Sequence, residues 1–207
     1  MLRRLWSAVL IAGLTVPVCP ALARAGTWEI DPAHTSVQFS VRHLMINDVH
    51  GEFTKVAGTI AGDQAKPTAA RIDVSIDAAS IDTRNAKRDE HLRSADFLDV
   101  STYPSIYFHS TKIEPAGAGK WRVTGGLTLH GVTRDVVLEV TTAAAPIKDP
   151  SGKMRAGGHV QTAINRQDFG ISFNKSLDGG GVLVGNEIAI TIDVEAIENP
   201  PQETPHG

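Results

Sequence analysis

Only one of the 207 residues is a cysteine, Cys19, and it falls inside an N-terminal segment that reads as a leader. The rest of the chain can therefore hold no disulfide, no thiolate metal site and no cysteine nucleophile. Long apolar runs are scarce too. The longest, Leu5 to Val18, spans about 14 residues, where a transmembrane helix needs about 20. Lys and Arg number 20 against 23 Asp and Glu, so there is no basic excess to attract nucleic acid or an anionic membrane surface. The eight histidines, His34, His43, His50, His91, His109, His130, His159 and His206, fall on separate elements and in the tail, without HxH, HxxxH or HExxH spacing. No metal site is expected. No G-x-S-x-G is present, and Asp168-Phe169-Gly170 reads as a turn because no phosphate-binding glycine loop accompanies it.

The N-terminus has the three parts of a secretory signal. Met1 to Arg4 carry two arginines, Leu5 to Val18 are largely apolar, and Ala21, Ala23 and Ala25 supply small residues for cleavage. Cleavage is expected after Ala25, with Ala23 as second choice. Val18 and Pro20 flank Cys19 where a lipoprotein site wants small residues. Losing 25 of 207 residues leaves 182, the size of one domain, and losing Arg3, Arg4 and Arg24 takes the formal charge from −3 to −6. The expected organisation is a signal peptide at 1–25, a domain at 26–197 and a disordered tail at 198–207.

What is present is alternation. Val37, Phe39 and Val41 alternate with Ser36, Gln38, Ser40 and Arg42, and His43 continues the apolar parity. Val49, Gly51 and Phe53 change phase before Val56, Gly58 and Ile60, which predicts a β-bulge near Lys55. Ile72, Val74 and Ile76 follow. Trp121, Val123, Leu127 and Leu129 keep one parity across Gly125, and after a turn at His130 to Asp135 come Val136, Leu138 and Val140. Val160, Thr162 and Ile164 form a weaker strand, and Ile188, Ile190, Ile192 and Val194 a strong closing one. One helix interrupts the series, from about Arg84 to Ala95, with Asp89 and Arg93 at ion-pair spacing. After it, Pro104 forbids further helix, and Ile106 and Phe108 resume the alternation. Lying outside the sheet or across its end, this helix is the natural lid.

Eight or nine half-wet antiparallel strands suit a sandwich or a closed up-and-down barrel. The phase change near Lys55 and the internal Gly125 favour the barrel, because a closing sheet must bend. The fold class expected is all-β, with one short helix capping or flanking an end of the barrel. The dry face comprises Phe39, Val41, Phe53, Val74, Ile76, Ile106, Phe108, Leu127, Leu129, Val136, Leu138, Ile190 and Ile192. It is either a packed core or the wall of an apolar cavity. Leu92 and Phe97 are placed to close one mouth, and His43, at the end of an inward row, is placed to hydrogen-bond a head group.

Four blocks also carry a resemblance: WEIDPAHTSVQFSVRHL from Trp28, GEFTKVAGTI from Gly51, SIDTRNAKRDEHLRSADFLDVSTYPSIYFHS from Ser80 and GGLTLHGVTRDVVLEV from Gly125. Their order and spacing resemble the YceI-like family of polyisoprenoid-binding periplasmic proteins across the whole exported chain. The resemblance implies a lipocalin-like barrel in the periplasm whose elongated pocket takes a long isoprenoid amphiphile. On that basis the residues of the dry face, with Leu92, Phe97 and His43, become candidate ligand contacts. The expected ligand is a quinone or polyprenyl lipid, with no other cofactor, and transient membrane contact and a homodimer are compatible with it. The alternatives are an enzyme acting on such a lipid, with His43 as acid or base, and an exported β-domain acting through its surface. Asp89, Glu90 and His91 point in different directions on a helix and read as a solvated face. N-terminal sequencing of the exported protein is expected to begin at Gly26; a retained Met1 would exclude the leader.

Overall fold

The computed structural model describes residues 26–63, 66–143 and 145–199. The expected leader therefore lies outside the described residues, as do 200–207 of the expected tail. In chain order the elements are β1 (Gly26–Ile30), β2 (Ser36–His43), β3 (Asn47–Phe53), β4 (Val56–Gly62), β5 (Arg71–Asp77), β6 (Ile81–Asp82), α1 (Ala86–Arg93), β7 (Ser105–Gly117), β8 (Lys120–Leu129), β9 (Val132–Thr142), β10 (Ile147–Lys148), β11 (Met154–Asn165) and β12 (Val184–Asn199). Short 3-10 turns occupy Pro67–Ala69, Ala78–Ser80 and Arg166–Phe169. β12 runs two residues past Ile197, where the domain was expected to end, because Trp28 and Thr27 of β1 pair with Glu198 and Asn199. No helix among the described residues is long and apolar enough to cross a membrane.

The strands form a closed antiparallel ring of eight staves. β12 pairs along one edge with β1 and β2, which lie end to end, and beside these run β4 and β3, then β5 and β6, then β7, β8, β9 and β11. β11 returns to the other edge of β12, from Arg155 opposite Ile197 to Asn165 opposite Glu187, and closes the ring. The barrel, not the sandwich, is the outcome. Closure needs curvature, and three neighbouring staves break at one level, at Asp31–Thr35, Thr54–Lys55 and Ala78–Ser80. The phase change expected as a bulge near Lys55 is one part of this shared corner. Hydrogen bonds stitch it: Thr54 N donates to Ser80 O and Lys55 N to Ser80 Oγ, each at 3.2 Å, while Ala33 N donates to Asp31 Oδ1 at 3.0 Å. At Gly125 a side chain is forbidden. A Cβ there would stand 2.6 Å from Phe108 Cζ and closer still to the His109 carbonyl, so the Phe108 ring lies directly on bare backbone.

The helix is shorter than the expected Arg84–Ala95. Arg84 has φ 61°, which no right-handed helix allows, and Asn85 caps the first turn by accepting from Arg88 N at 3.1 Å. The expected Asp89–Arg93 pair does not form. Asp89 turns inward, is 6% exposed, and accepts from Thr83 N at 2.9 Å and Thr83 Oγ1 at 2.5 Å. Arg93 instead donates to the carbonyls of Ala79 and Ile81, at 2.8 and 2.5 Å. Both residues bolt the helix to the end of the barrel, so this face is not simply solvated.

At the opposite end, Arg155 gathers three carboxylates. Its Nε donates to Asp149 Oδ2 at 2.6 Å and its Nη1 to Asp31 Oδ2 at 2.8 Å and to Glu195, which ties the β10–β11 hairpin, the β1–β2 corner and β12 together. Asp31, His34 and Glu195 have ligand atoms within 4.8 Å of one another, but the guanidinium already binds both carboxylates. The hydrogen bond from His34, then that from Arg155, holds Asp31 at about 2, down from 3.8. Arg155 likewise keeps Asp149 below the usual carboxylate range. A depressed folded value means stability that is present above the unfolded value and lost as pH falls. The wild-type melting temperature is therefore expected to drop between about pH 4 and pH 2. Arg155→Met should melt lower at pH 7 and show a flatter dependence over that window, measured by circular dichroism.

Candidate functional site

The inward rows do not meet across the bore. They leave a cavity of about 220 Å³ under α1, in the upper half of the barrel. Its wall takes Phe39 and Val41 from β2, Phe53 from β3, Val74 and Ile76 from β5, Ile106 and Phe108 from β7, Leu127 and Leu129 from β8, Val136 and Leu138 from β9, and Ile190 and Ile192 from β12. Leu92 on α1 and Phe97 just after it close the top. Fifteen of the sixteen candidate contacts thus line one space.

His43 does not. The β2–β3 hairpin overshoots the ring, since β6 pairs with β3 only at Glu52 and Phe53, and the inward row leaves the bore before His43. The parity was right and the height was not. Conversely, the wall includes Val37, Ile81, Leu98, Ile164, Ile171, Val184 and Ile188. Val37, Ile164 and Ile188 share the parity of their strands and were legible from it. Ile81, Leu98, Ile171 and Val184 come from turns or strand ends, where no periodicity marks an inward residue.

Three polar residues belong to the wall, Gln38, Thr162 and Arg166, yet no polar atom faces the cavity. Gln38 is exposed on the outer side. Thr162 Oγ1 donates to the Val137 carbonyl at 2.8 Å. Arg166, 3% exposed, turns its guanidinium away, donating through Nε to Gly185 O at 2.9 Å and through Nη1 to Ile171 O at 2.8 Å. Burial lowers its pKa; its role is to pin the 3-10 turn and the segment after it to the start of β12. The surface that the described residues turn to this space is hydrocarbon, which suits a hydrocarbon chain.

The lid is closed by rings. His91, on α1, packs edge-on against Phe97 and Phe173, each centroid at 5.0 Å, and the two phenylalanines stand 5.0 Å apart. His91 Nε2 lies 2.9 Å from Asp96 Oδ2, which orients the imidazole. Arg88 adds a second bolt, through Nε to Thr83 Oγ1 at 2.7 Å and through Nη2 to Thr83 O at 2.8 Å. His109 and His130 are not part of the cavity wall: the first is paired with Asp73 on the outer surface, the second set edge-on to Tyr103 with centroids 4.8 Å apart.

An eight-stranded antiparallel barrel with an apolar internal cavity and a helix across one end defines a class, the closed barrels whose bore has room for side chains or for one small ligand. Within that class, the YceI-like domain model matches residues 28–196, and the chain belongs to this family. A UPF0312 protein of Shewanella baltica strain OS195 is 39% identical over 176 residues, covering 84% of this chain and 90% of the relative. The crystal structure of Burkholderia cenocepacia BcnA superposes with a TM-score of 0.69 at 26% identity, covering 80% of this chain and 98% of BcnA. A polyisoprenoid binding domain from Saccharophagus degradans, implicated in plant cell wall breakdown, shares the fold, with a TM-score of 0.60 at 14% identity over 83% of this chain and 98% of that domain.

Asp89→Ala removes the acceptor for both Thr83 donors and leaves a buried backbone N–H without a partner. It is expected to cost about 2 kcal/mol in urea unfolding and to raise amide exchange in α1 above that of β11 and β12; equal exchange throughout would show that Asp89 does not hold the lid.

Proposed function

We propose that the protein is a periplasmic carrier for a long-chain isoprenoid amphiphile, a quinone or polyprenyl lipid, whose tail occupies the upper cavity. The observation that carries this reading is the apolar wall around about 220 Å³ of unfilled interior. An apolar concavity of this kind, walled by inward rows of the strands and capped by a helix, is what a site for an apolar ligand presents. Family membership and the polyisoprenoid binding of the Saccharophagus domain support the same ligand class.

The reference state for the tail is a membrane, not water. Transfer from water would nominally yield about 0.8 kcal/mol per methylene and, over tens of methylenes, exceed the practical affinity limit of roughly 20 kcal/mol. Transfer from a bilayer is nearly neutral, so cavity shape decides which tails are taken. The tip of the β2–β3 hairpin is suited to touch the donor membrane. Met45 is 52% and Ile46 78% exposed, beside the strand end where Val184 of the cavity wall neighbours His43. Leu44 and Met45 both adopt positive φ, 51° and 62°, in a turn where Asn and Gly are the usual residues. The apolar tip is held at a backbone cost.

Native mass spectrometry of protein purified from the periplasm without detergent, with organic extraction, is expected to release a stoichiometric isoprenoid. Vesicles loaded with a long-chain quinone should transfer it to ligand-stripped protein, and the double variant Met45→Asp, Ile46→Asp should slow transfer several-fold without changing the amount bound at equilibrium. Protein that arrives free of lipid and takes up none from vesicles would exclude the carrier function.

A further inference from the structure

A second cavity, of about 250 Å³, lies in the lower half of the bore, toward the Arg155 end. The two cavities share their inward rows. On β12, Ile190 and Ile192 face the upper one, and Val194 and Ala196, at the next two positions of the same parity, face the lower. On β8, Leu127 and Leu129 stand above and Val123 and Trp121 below. Between them comes Gly125, and on Gly125 lies the ring of Phe108. Phe108, of the upper wall, forms one buried cluster with Ile113 and Val123 of the lower wall, and Leu127 and Leu138 of the upper wall pack against that cluster. It stands at the level where the upper lining ends and the lower begins, and the backbone it rests on carries no side chain.

Resting on the carrier reading, we infer that the two cavities are one bore. The lower chamber receives the distal end of the ligand's apolar tail, with Phe108 over Gly125 as the restriction that sets which chain lengths pass. The orientation follows from solvation. Apart from Asp63 and Thr142 at its rim, the lower wall is built of apolar and indole side chains, whereas at the lid end the head meets the exposed polar side chains of α1. A tail too short to pass Phe108 leaves the lower chamber unused. A longer one gains contact with both.

The protein carries its own reporter. Its three tryptophans are Trp6, in the segment expected to be a leader, and Trp28 and Trp121, both of which line the lower chamber. Protein beginning at Gly26 is titrated with stearic acid brominated near its methyl end or near its carboxyl, and binding is followed independently by displacement of an environment-sensitive dye. The methyl-end probe is expected to quench more than half of the tryptophan fluorescence, the carboxyl-end probe little. Equal quenching, stronger quenching by the carboxyl-end probe, or displacement without quenching by either would overturn the inference and leave the carrier reading standing. Displacement by neither, together with failure to bind farnesol or geranylgeraniol, would overturn both. As a second measurement, Ala196→Phe, which fills the lower chamber, should weaken binding of geranylgeraniol at least tenfold more than that of farnesol; an unchanged ratio in folded variant protein would also overturn it.

Discussion

Every backbone N–H and C=O in the barrel wall is removed from water on one side, and each must find its partner in the neighbouring strand. An open sheet of this length would leave two unpaired edges. The pairing of β11 with β12 closes the circuit, apart from the β2–β3 hairpin that overshoots it, and β12 is long enough to serve β11 along one edge and, along the other, β1 and β2 in succession. The corner at Asp31, Lys55 and Ala78 exists to let that ring close, and the Arg155 cluster holds the end where β1, β11 and β12 meet. The fold's other features are arranged around this hydrogen-bonded circle.

A closed ring of eight strands encloses a bore that side chains can fill, or nearly fill. Here the inward residues are mostly valine, isoleucine and leucine, too short to meet across the axis, and the aromatic side chains are kept to particular heights. Phe39 packs on Phe53 with centroids 5.7 Å apart, Phe108 lies on Gly125, and Phe97 belongs to the lid. The unfilled volume is thus a property of side-chain length and placement. The polar groups near it are spent elsewhere: Asp89 on Thr83, Arg88 on Thr83, Arg166 on backbone carbonyls. They make the top of the bore rigid without making its interior polar.

Much of this was legible in the chain. Period-2 alternation marks an inward face because successive Cβ atoms leave opposite sides of a strand, and that rule placed Phe39, Val74, Leu127, Val136 and Ile190 on the wall correctly. It failed where its premises fail. His43 has the inward parity but sits on a hairpin that has left the ring, and parity carries no information about height. Ile171 and Leu98 lie in turns with no period at all. Asp89 and Arg93 have ion-pair spacing, yet nearby backbone donors and acceptors on the barrel rim captured both.

By itself, then, the sequence determined which residues turn inward, that the sheet must bend near Lys55 and at Gly125, and that a single polar helix interrupts the strands. These are local properties, written in the order of side chains along a few residues. Only the tertiary structure decided that the sheet closes on β12, that the inward rows stop short of one another, and that the ring of Phe108 lies on the bare backbone of Gly125. Those depend on distances between residues far apart in the chain, which stay undefined until the ring's circumference and the stagger of its strands are set.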